Sequence, residues 1–248
     1  MTAPKTAAVF DALEAEGGPD CARFVGGCVR NALVGRAVDD LDIATTLTPD
    51  RVQAALKAAG IRSVPTGLDH GTVTAISDRT PHEITTLRRD VSTDGRRATV
   101  AFTDDWALDA QRRDFTLNAL YARRDGAIFD PTDRGVDDAR AGRIVFVGDP
   151  EARLREDHLR NLRFFRFYAA FGKAPPDAAA VDACARLKDG VAGLAAERLS
   201  KETLKLLAAD DPRAAMRLMA ETGVAAVVLG VEPRLERFDA LVEIETEQ

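Results

Sequence analysis

Asp40 and Asp42, in the run Asp39-Asp40-Leu41-Asp42-Ile43, are the residues whose type and spacing most directly suggest chemistry. On a strand alternate side chains share a face, so both carboxylates project from one side while Leu41 and Ile43 face the core. Two carboxylates that close repel each other unless a cation sits between them. Hard oxygen ligands of this kind suit Mg²⁺, which keeps several waters and is completed by substrate phosphates. In phosphoryl and nucleotidyl transfer, paired ions about 3.5–4 Å apart activate the attacking hydroxyl and neutralise the leaving group. An isolated Asp-x-Asp is more often a solvated strand end. Here it follows Phe24-Val25-Gly26-Gly27-Cys28-Val29-Arg30-Asn31, a strand running into two glycines and a helix, and that neighbour favours the cation reading.

The glycine turn is itself a candidate anion pocket. Glycines let backbone N–H groups approach a phosphate, and Arg30 on the first helical turn adds a forked positive charge. The alternative is a simple tight turn. Glu83, on an expected strand ahead of two threonines, is either a third carboxylate beside the pair or a partner of Arg88. Arg112-Arg113-Asp114-Phe115-Thr116 is too charged for a core strand, yet Phe115, Leu117, Leu120 and Tyr121 would anchor it beside the sheet. Arg113 could clamp a triphosphate bidentately, or an internal Arg–Asp pair could occupy one of the two arginines. In the 157–166 segment a helical wheel places Glu156, Asp157, Arg160 and Arg163 on one edge and Leu159, Leu162, Phe165 and Ala169 on another. Asp157 and Arg160 together offer an acceptor and a forked donor, as reading a base edge requires, although the residues alone favour a surface ion pair. Arg166 falls on the apolar edge. His70, His82 and His158 share no metal-ligand spacing.

These side chains need two kinds of scaffold. Short β-prone runs at 23–25, 41–44, 72–76, 83–87, 127–130 and 144–147 predict a small sheet, with helices at 29–34 and 49–59, the latter opening on Thr48-Pro49-Asp50. From residue 149 the texture is Ala, Leu, Arg and Glu with helical periodicity, broken near Gly172, Gly190, Asp210 and Gly230. The expectation is therefore an α+β fold: a head over 1–148 with a small mixed sheet, an all-helical neck over 149–212, and the start of a helical body over 213–248 that breaks off.

Hydrophobic residues make up 46% and charged residues 30% of the 248, as in ordinary soluble globular proteins. The 3 cysteines have no CxxC spacing, which argues against disulfides and zinc and fits a reducing, cytoplasmic setting. No leader or apolar span points to a membrane. A net charge of −6 and a pI near 5.2 argue, taken alone, against a nucleic-acid partner. Arginines nevertheless gather at 88–97, 112–113 and 153–166, so basic surface can coexist with an acidic remainder.

In order, Gly26-Gly27-x-x-Arg30, Leu33-x-Gly35, Asp40-Leu41-Asp42, Glu83 to Arg88, Asp94-Gly95-Arg96-Arg97, Arg112 to Leu120, Glu156-Asp157-x-x-Arg160-x-x-Arg163 and Glu197-Arg198-Leu199 resemble the signature of polymerase-β-type nucleotidyltransferases. The branch they resemble is that of bacterial CCA-adding enzymes and poly(A) polymerases. The resemblance implies a transferase that adds C and A from CTP and ATP to a tRNA 3′ end with Mg²⁺ on Asp40 and Asp42. It implies that Gly26, Gly27, Arg30 and Arg113 grip the triphosphate and that Asp157, Arg160, Arg163 and Arg166 select the base, with Glu83 the candidate third catalytic carboxylate or the partner of Arg88. A poly(A) polymerase, a CC- or A-adding specialist, or an inactive RNA-binding module are the rivals; the intact aspartate pair argues against the last. Nothing implies a protein partner. Two departures from the pattern stand out: Asn31 where Asp is usual, and His158 where Pro is usual.

Overall fold

The glycine-punctuated first half folds as strands with short helices and the Ala- and Leu-rich remainder as helices, the α+β arrangement expected. The structure is a computed structural model and describes residues 3–94 and 97–246. Gly95 and Arg96 of the expected 94–97 loop lie outside the described residues. The chain divides into two compact units, one ending at Asp137 and the other starting at Asp138.

The first unit contains α1 (Pro4–Gly17), β1 (Ala22–Val25), α2 (Gly27–Leu33), β2 (Asp42–Thr45), α3 (Pro49–Ala58), β3 (Arg62–Gly67), β4 (Thr72–Ser77), β5 (Thr80–Thr86), β6 (Arg88–Asp94), β7 (Arg97–Phe102), α4 (Trp106–Gln111), β8 (Tyr121–Ala122) and β9 (Ile128–Phe129). A seven-stranded sheet among the described residues runs β3-β4-β5-β2-β1-β8-β9, with β2 and β5 parallel and the other neighbours antiparallel. β6 and β7 form a separate antiparallel hairpin.

Side-chain alternation gives the sheet two different faces. Phe24, Ile43 and Ile84, which are partners across β1, β2 and β5, are only 1%, 0% and 0% exposed. α1 and α3 cover that face through Val9, Phe10, Leu13, Val52 and Leu56, with Phe10 and Phe24 ring centroids 4.7 Å apart. Each such side chain removed from water contributes about 1.5–3 kcal/mol, so this layer fixes the register of the central strands. Asp42, Val25 and Tyr121 alternate onto the opposite face. β3 carries Pro65 and was not foreseen as a strand; it lies at the sheet edge, where a missing N–H costs no ladder bond. β2 starts at Asp42, so Asp40 precedes the strand rather than lying on it. Thr48 stands at the N-cap of α3 with Pro49 first, but its side chain makes no capping bond.

α5 (Gly135–Ala141) carries the boundary between the units. Beyond it the second unit holds α6 (Pro150–Glu156), α7 (Leu159–Phe171), α8 (Ala178–Arg186), α9 (Ala196–Leu207), α10 (Arg213–Glu221), α11 (Val224–Leu229) and α12 (Leu235–Thr246). α7 is its centre: Leu162, Phe164, Phe165 and Phe167 are buried, and α9 and α10 pack against it. The run 144–147 is not a strand. It is reduced to one bridge residue at Phe146, with Ile144, Phe146 and Val147 buried and Phe146 stacked on Phe164 at 6.0 Å. Among the described residues no helix is long and apolar enough to cross a membrane.

Candidate functional site

The first cluster forms where β1 and β2 end. Gly26 closes β1 with φ 70° and ψ −122°, a conformation that residues with a Cβ rarely adopt. That bend starts α2 and returns the chain toward β8, the Gly26 N–H donating to the carbonyl of Leu120 at 2.9 Å. Arg30 is buried on α2. Its Nε and Nη2 donate to Asn31 Oδ1 at 3.1 and 2.9 Å, and its Nη1 donates to Asn118 Oδ1. Asn118 is held in turn by Asp114 Oδ1 at 3.0 Å, which also accepts from the Phe115 N–H. Asn31 thus keeps the orienting acceptor that an aspartate would provide, and its Nδ2 ties down the Ala37 carbonyl at 3.0 Å.

Asp42 and Glu83 are direct partners on the parallel strands β2 and β5, so their side chains leave the same face of the sheet. Burial pushes the Asp42 carboxyl above the usual carboxylate range, Glu83 and Asp40 push it further, and Arg113 opposes them. Two acids and one guanidinium therefore act on the Asp42 carboxyl. Leu41 is half-buried and Ile43 fully buried, so the core side of the alternation is carried by Ile43. Among the described residues no three His, Cys, Asp or Glu side chains make a ready-made metal cage. What the cluster offers is the other arrangement, one or two carboxylates with the remaining positions left to water and phosphate oxygens.

Arg112 and Arg113 both pair with one acid, and it is Asp109 on α4 rather than the adjacent Asp114. Asp109 is 1% exposed. Its Oδ1 accepts from Arg112 Nη2 at 2.7 Å and Nε at 3.0 Å, and from the Arg88 N–H at 3.2 Å. Its Oδ2 accepts from Arg113 Nη2 at 2.7 Å, Arg113 Nε at 3.1 Å and the Tyr121 hydroxyl at 2.7 Å. Burial works against ionisation of Asp109, but Arg113 and Arg112 outweigh it and hold the carboxyl well below its ordinary range. The Arg113 Nη1 lies at the glycine turn, 3.7 Å from where a Cβ on Gly26 would stand.

The second cluster belongs to the helical unit. The chain breaks between α6 and α7, and Asp157 sits in the break with φ −151° and ψ 105°, so the single wheel drawn through Glu156, Asp157 and Arg160 does not apply. The cause is local: Asp157 Oδ1 accepts from the Leu159 N–H at 3.1 Å and starts a new helix. The His158 ring packs over Gly190, where any Cβ would collide with it. Asp157 Oδ2 accepts from Arg198 Nη2 at 2.9 Å. Arg160 donates to Glu156 and to the Arg153 carbonyl. Arg163 and Arg166 both approach Glu202 of α9, at 3.9 and 3.2 Å, and both stack on Phe167, with Cζ 5.4 and 4.4 Å from its ring centroid. Arg166 is thus half-buried and paired, not immersed among apolar side chains.

Residues 22–145 match the poly A polymerase head domain, and residues 176–238 match the probable RNA and SrmB-binding site of polymerase A. The chain belongs to the CCA-adding enzyme and poly(A) polymerase family. It is 40% identical over 221 residues to the human mitochondrial CCA tRNA nucleotidyltransferase 1, covering 88% of this chain and 51% of that one. The CCA-adding enzyme of Levilactobacillus brevis is 39% identical over 207 residues, covering 82% and 50%. The crystal structure of the Bacillus stearothermophilus CCA-adding enzyme in complex with CTP superposes with a TM-score of 0.82 at 32% identity, covering 94% of this chain and 55% of that one. The chain spans about half the length of the curated relatives it matches. Nucleotidyltransferases of this family generally use divalent metal ions.

In this family member the side chains that orient the expected site residues are ones the sequence did not single out for that role. Asp109, Asn118 and Tyr121 hold Arg113 and Arg30, while Arg198 and Glu202 hold Asp157, Arg163 and Arg166. Asp109 had a readable signal, an acid three and four residues before two arginines on one helical turn. Glu202 and Arg198 had none beyond an amphipathic helix.

Proposed function

We propose that this chain carries the nucleotidyl-transferring part of a tRNA nucleotidyltransferase that adds C and A from CTP and ATP to the tRNA 3′ end. The observation that carries this is the in-register pairing of Asp42 with Glu83 on one face of the sheet, with Asp40 and Arg113 close enough to act on the same carboxyl. The unit ending at Asp137, a little short of the 1–148 expected for the head, would be the catalytic part, and the helical unit from Asp138 would hold the base-selecting neck over 149–212 and the start of a helical body at 213.

Asp40 and Asp42 would hold a divalent ion, taken as Mg²⁺, and Glu83 is the third acid beside them. Bound there, such an ion neutralises phosphate charge and favours the ionised form of the attacking hydroxyl. The chain's own groups do the rest. Gly26 and Gly27 let the backbone come close to the triphosphate, and Arg30 and Arg113 supply forked donors for its oxygens. Fixing the nucleotide in line with the RNA 3′-hydroxyl replaces a bimolecular encounter by an oriented one, so no covalent intermediate is required. Asp157 and Arg160 offer an acceptor and donors to the base edge, with Arg163 and Arg166 beside them. A base that leaves these groups unpaired pays about 1–3 kcal/mol for each.

The test is incorporation by the chain on a tRNA lacking its 3′ CCA, with Mg²⁺ and each nucleotide supplied separately and together. Ordered addition of two C and one A supports the proposal; A alone or C alone would reassign it to a specialist, and a long A tail to poly(A) synthesis. No addition by folded protein would remove the transferase reading.

A further inference from the structure

Asp109 lies in neither of the residue sets expected to hold the nucleotide, yet it is the acceptor on which three parts of the head converge. From Arg113 it takes the Nε and Nη2 edge. From Tyr121, buried on β8, it takes the hydroxyl proton, and the same hydroxyl accepts from Arg113 Nε at 3.1 Å. From the first residue of β6 it takes the Arg88 N–H, while Arg112, on the same carboxylate, donates to the Arg88 carbonyl at 3.0 Å. We infer that Asp109 is a positioning residue for nucleotide binding, which locks one edge of Arg113 so that its Nη1 side is presented at the glycine turn. By the same bonds it anchors the foot of the β6–β7 hairpin.

The physical case has three parts. A guanidinium on a flexible stem loses rotamer freedom when it grips a phosphate, and a partner that has already fixed it removes that cost from binding. A carboxylate usually cancels the charge it fixes, but here two guanidiniums share one carboxylate, so Asp109 does not neutralise the arginine pair by itself. Tyr121 closes the geometry: its ring lies 5.3 Å below the Arg113 Cζ and meets Trp106 edge-on at 5.2 Å, so the guanidinium plane is set by packing as well as by hydrogen bonds. None of these contacts distinguishes one base from another.

This inference rests on Arg113 gripping phosphate, and the experiment separates the two claims. The affinities of the whole chain for CTP, ATP and inorganic tripolyphosphate are measured with Mg²⁺ present for the native protein, Asp109→Asn, Tyr121→Phe, Arg113→Ala and the Asp109→Asn/Arg113→Ala double variant, with circular dichroism confirming the fold. Asp109→Asn should weaken all three ligands by a common factor of about ten or more, the scale of a charge-assisted hydrogen bond. The double variant should bind no more weakly than Arg113→Ala alone, since Asp109 acts through that arginine. Tyr121→Phe should show the same common pattern at smaller size, and it decides by the same criterion if Asp109→Asn does not fold. A folded variant that keeps native tripolyphosphate affinity while Arg113→Ala loses it, or losses that multiply in the double variant, would overturn the inference. If Arg113→Ala itself leaves tripolyphosphate binding unchanged, the phosphate role of Arg113 is wrong and the positioning role of Asp109 goes with it.

Discussion

Replacing Asp42 by Asn should stabilise the protein and abolish its chemistry together. Burial, Glu83 and Asp40 raise the Asp42 carboxyl against the opposing Arg113, so with no cation bound the charged form is disfavoured in the fold. A group whose folded value is raised is most favourable below the ordinary carboxylate range, and that contribution is lost as pH rises through the raised value. Near neutral pH the penalty is fully present. Burial is the leading cause, and a like-charge neighbour on the adjacent strand, itself exposed to water, adds on the order of 1 kcal/mol. In a chain of this length each kcal/mol moves the thermal midpoint by about 2–4 °C. Asp42→Asn should therefore melt several degrees higher than the native protein in chelator at pH 7. Below about pH 4 the difference should vanish, because both side chains are then neutral. Adding Mg²⁺ should stabilise the native protein and not the variant, and nucleotide addition by the variant should fall by several orders of magnitude. A midpoint at or below the native one in chelator would refute the electrostatic argument, and activity above about a tenth of native, roughly 1.4 kcal/mol of barrier, would refute the metal assignment.

Arg160→Ala should impair CTP and ATP use and let UTP or GTP compete, whereas Arg113→Ala should lower all four alike; rates with each nucleotide on a matched tRNA end give the two profiles, and equal losses for both variants would contradict base reading by Arg160. Glu202→Ala removes a buried acid facing Arg163 and Arg166 and should cost about 3 kcal/mol in urea unfolding, the scale of breaking one side of a buried ion pair; a loss under about 1 kcal/mol would show that the pair is not coupled. Asp109→Asn should be less stable than the native protein at neutral pH. Because the Asp109 carboxyl is held below its ordinary range, its contribution is present above about pH 4 and lost as pH falls through the depressed value, so the stability gap should narrow only in strong acid. A gap that was constant from pH 7 to pH 2 in equilibrium unfolding would contradict the charge-based account.

The sequence by itself determined the local geometry. Gly26 demands a backbone that only glycine adopts readily, Thr48-Pro49 starts a helix where Pro has no N–H to lose, and the apolar residues of β1, β2 and β5 choose the covered face of the sheet. These are short-range effects, set by sterics and by the two-residue period of a strand. The helix content of the second unit was equally legible, because propensity and periodicity agree over many turns. Tertiary structure decided what the charged side chains do. Asp42 meets Glu83 only because β2 and β5 pair in parallel with that register, a contact made across a long stretch of chain. The wheel through Asp157 does not hold because Asp157 leaves the helical conformation and its side chain accepts from the Leu159 N–H at the start of the next helix. Asp109, three and four residues ahead of two arginines, shows in sequence only those local partners. It becomes the anchor of a tyrosine and a strand as well only once Tyr121 and Arg88 are brought to it and water is excluded, for these partners are set by desolvation and long-range packing rather than by nearness in the chain.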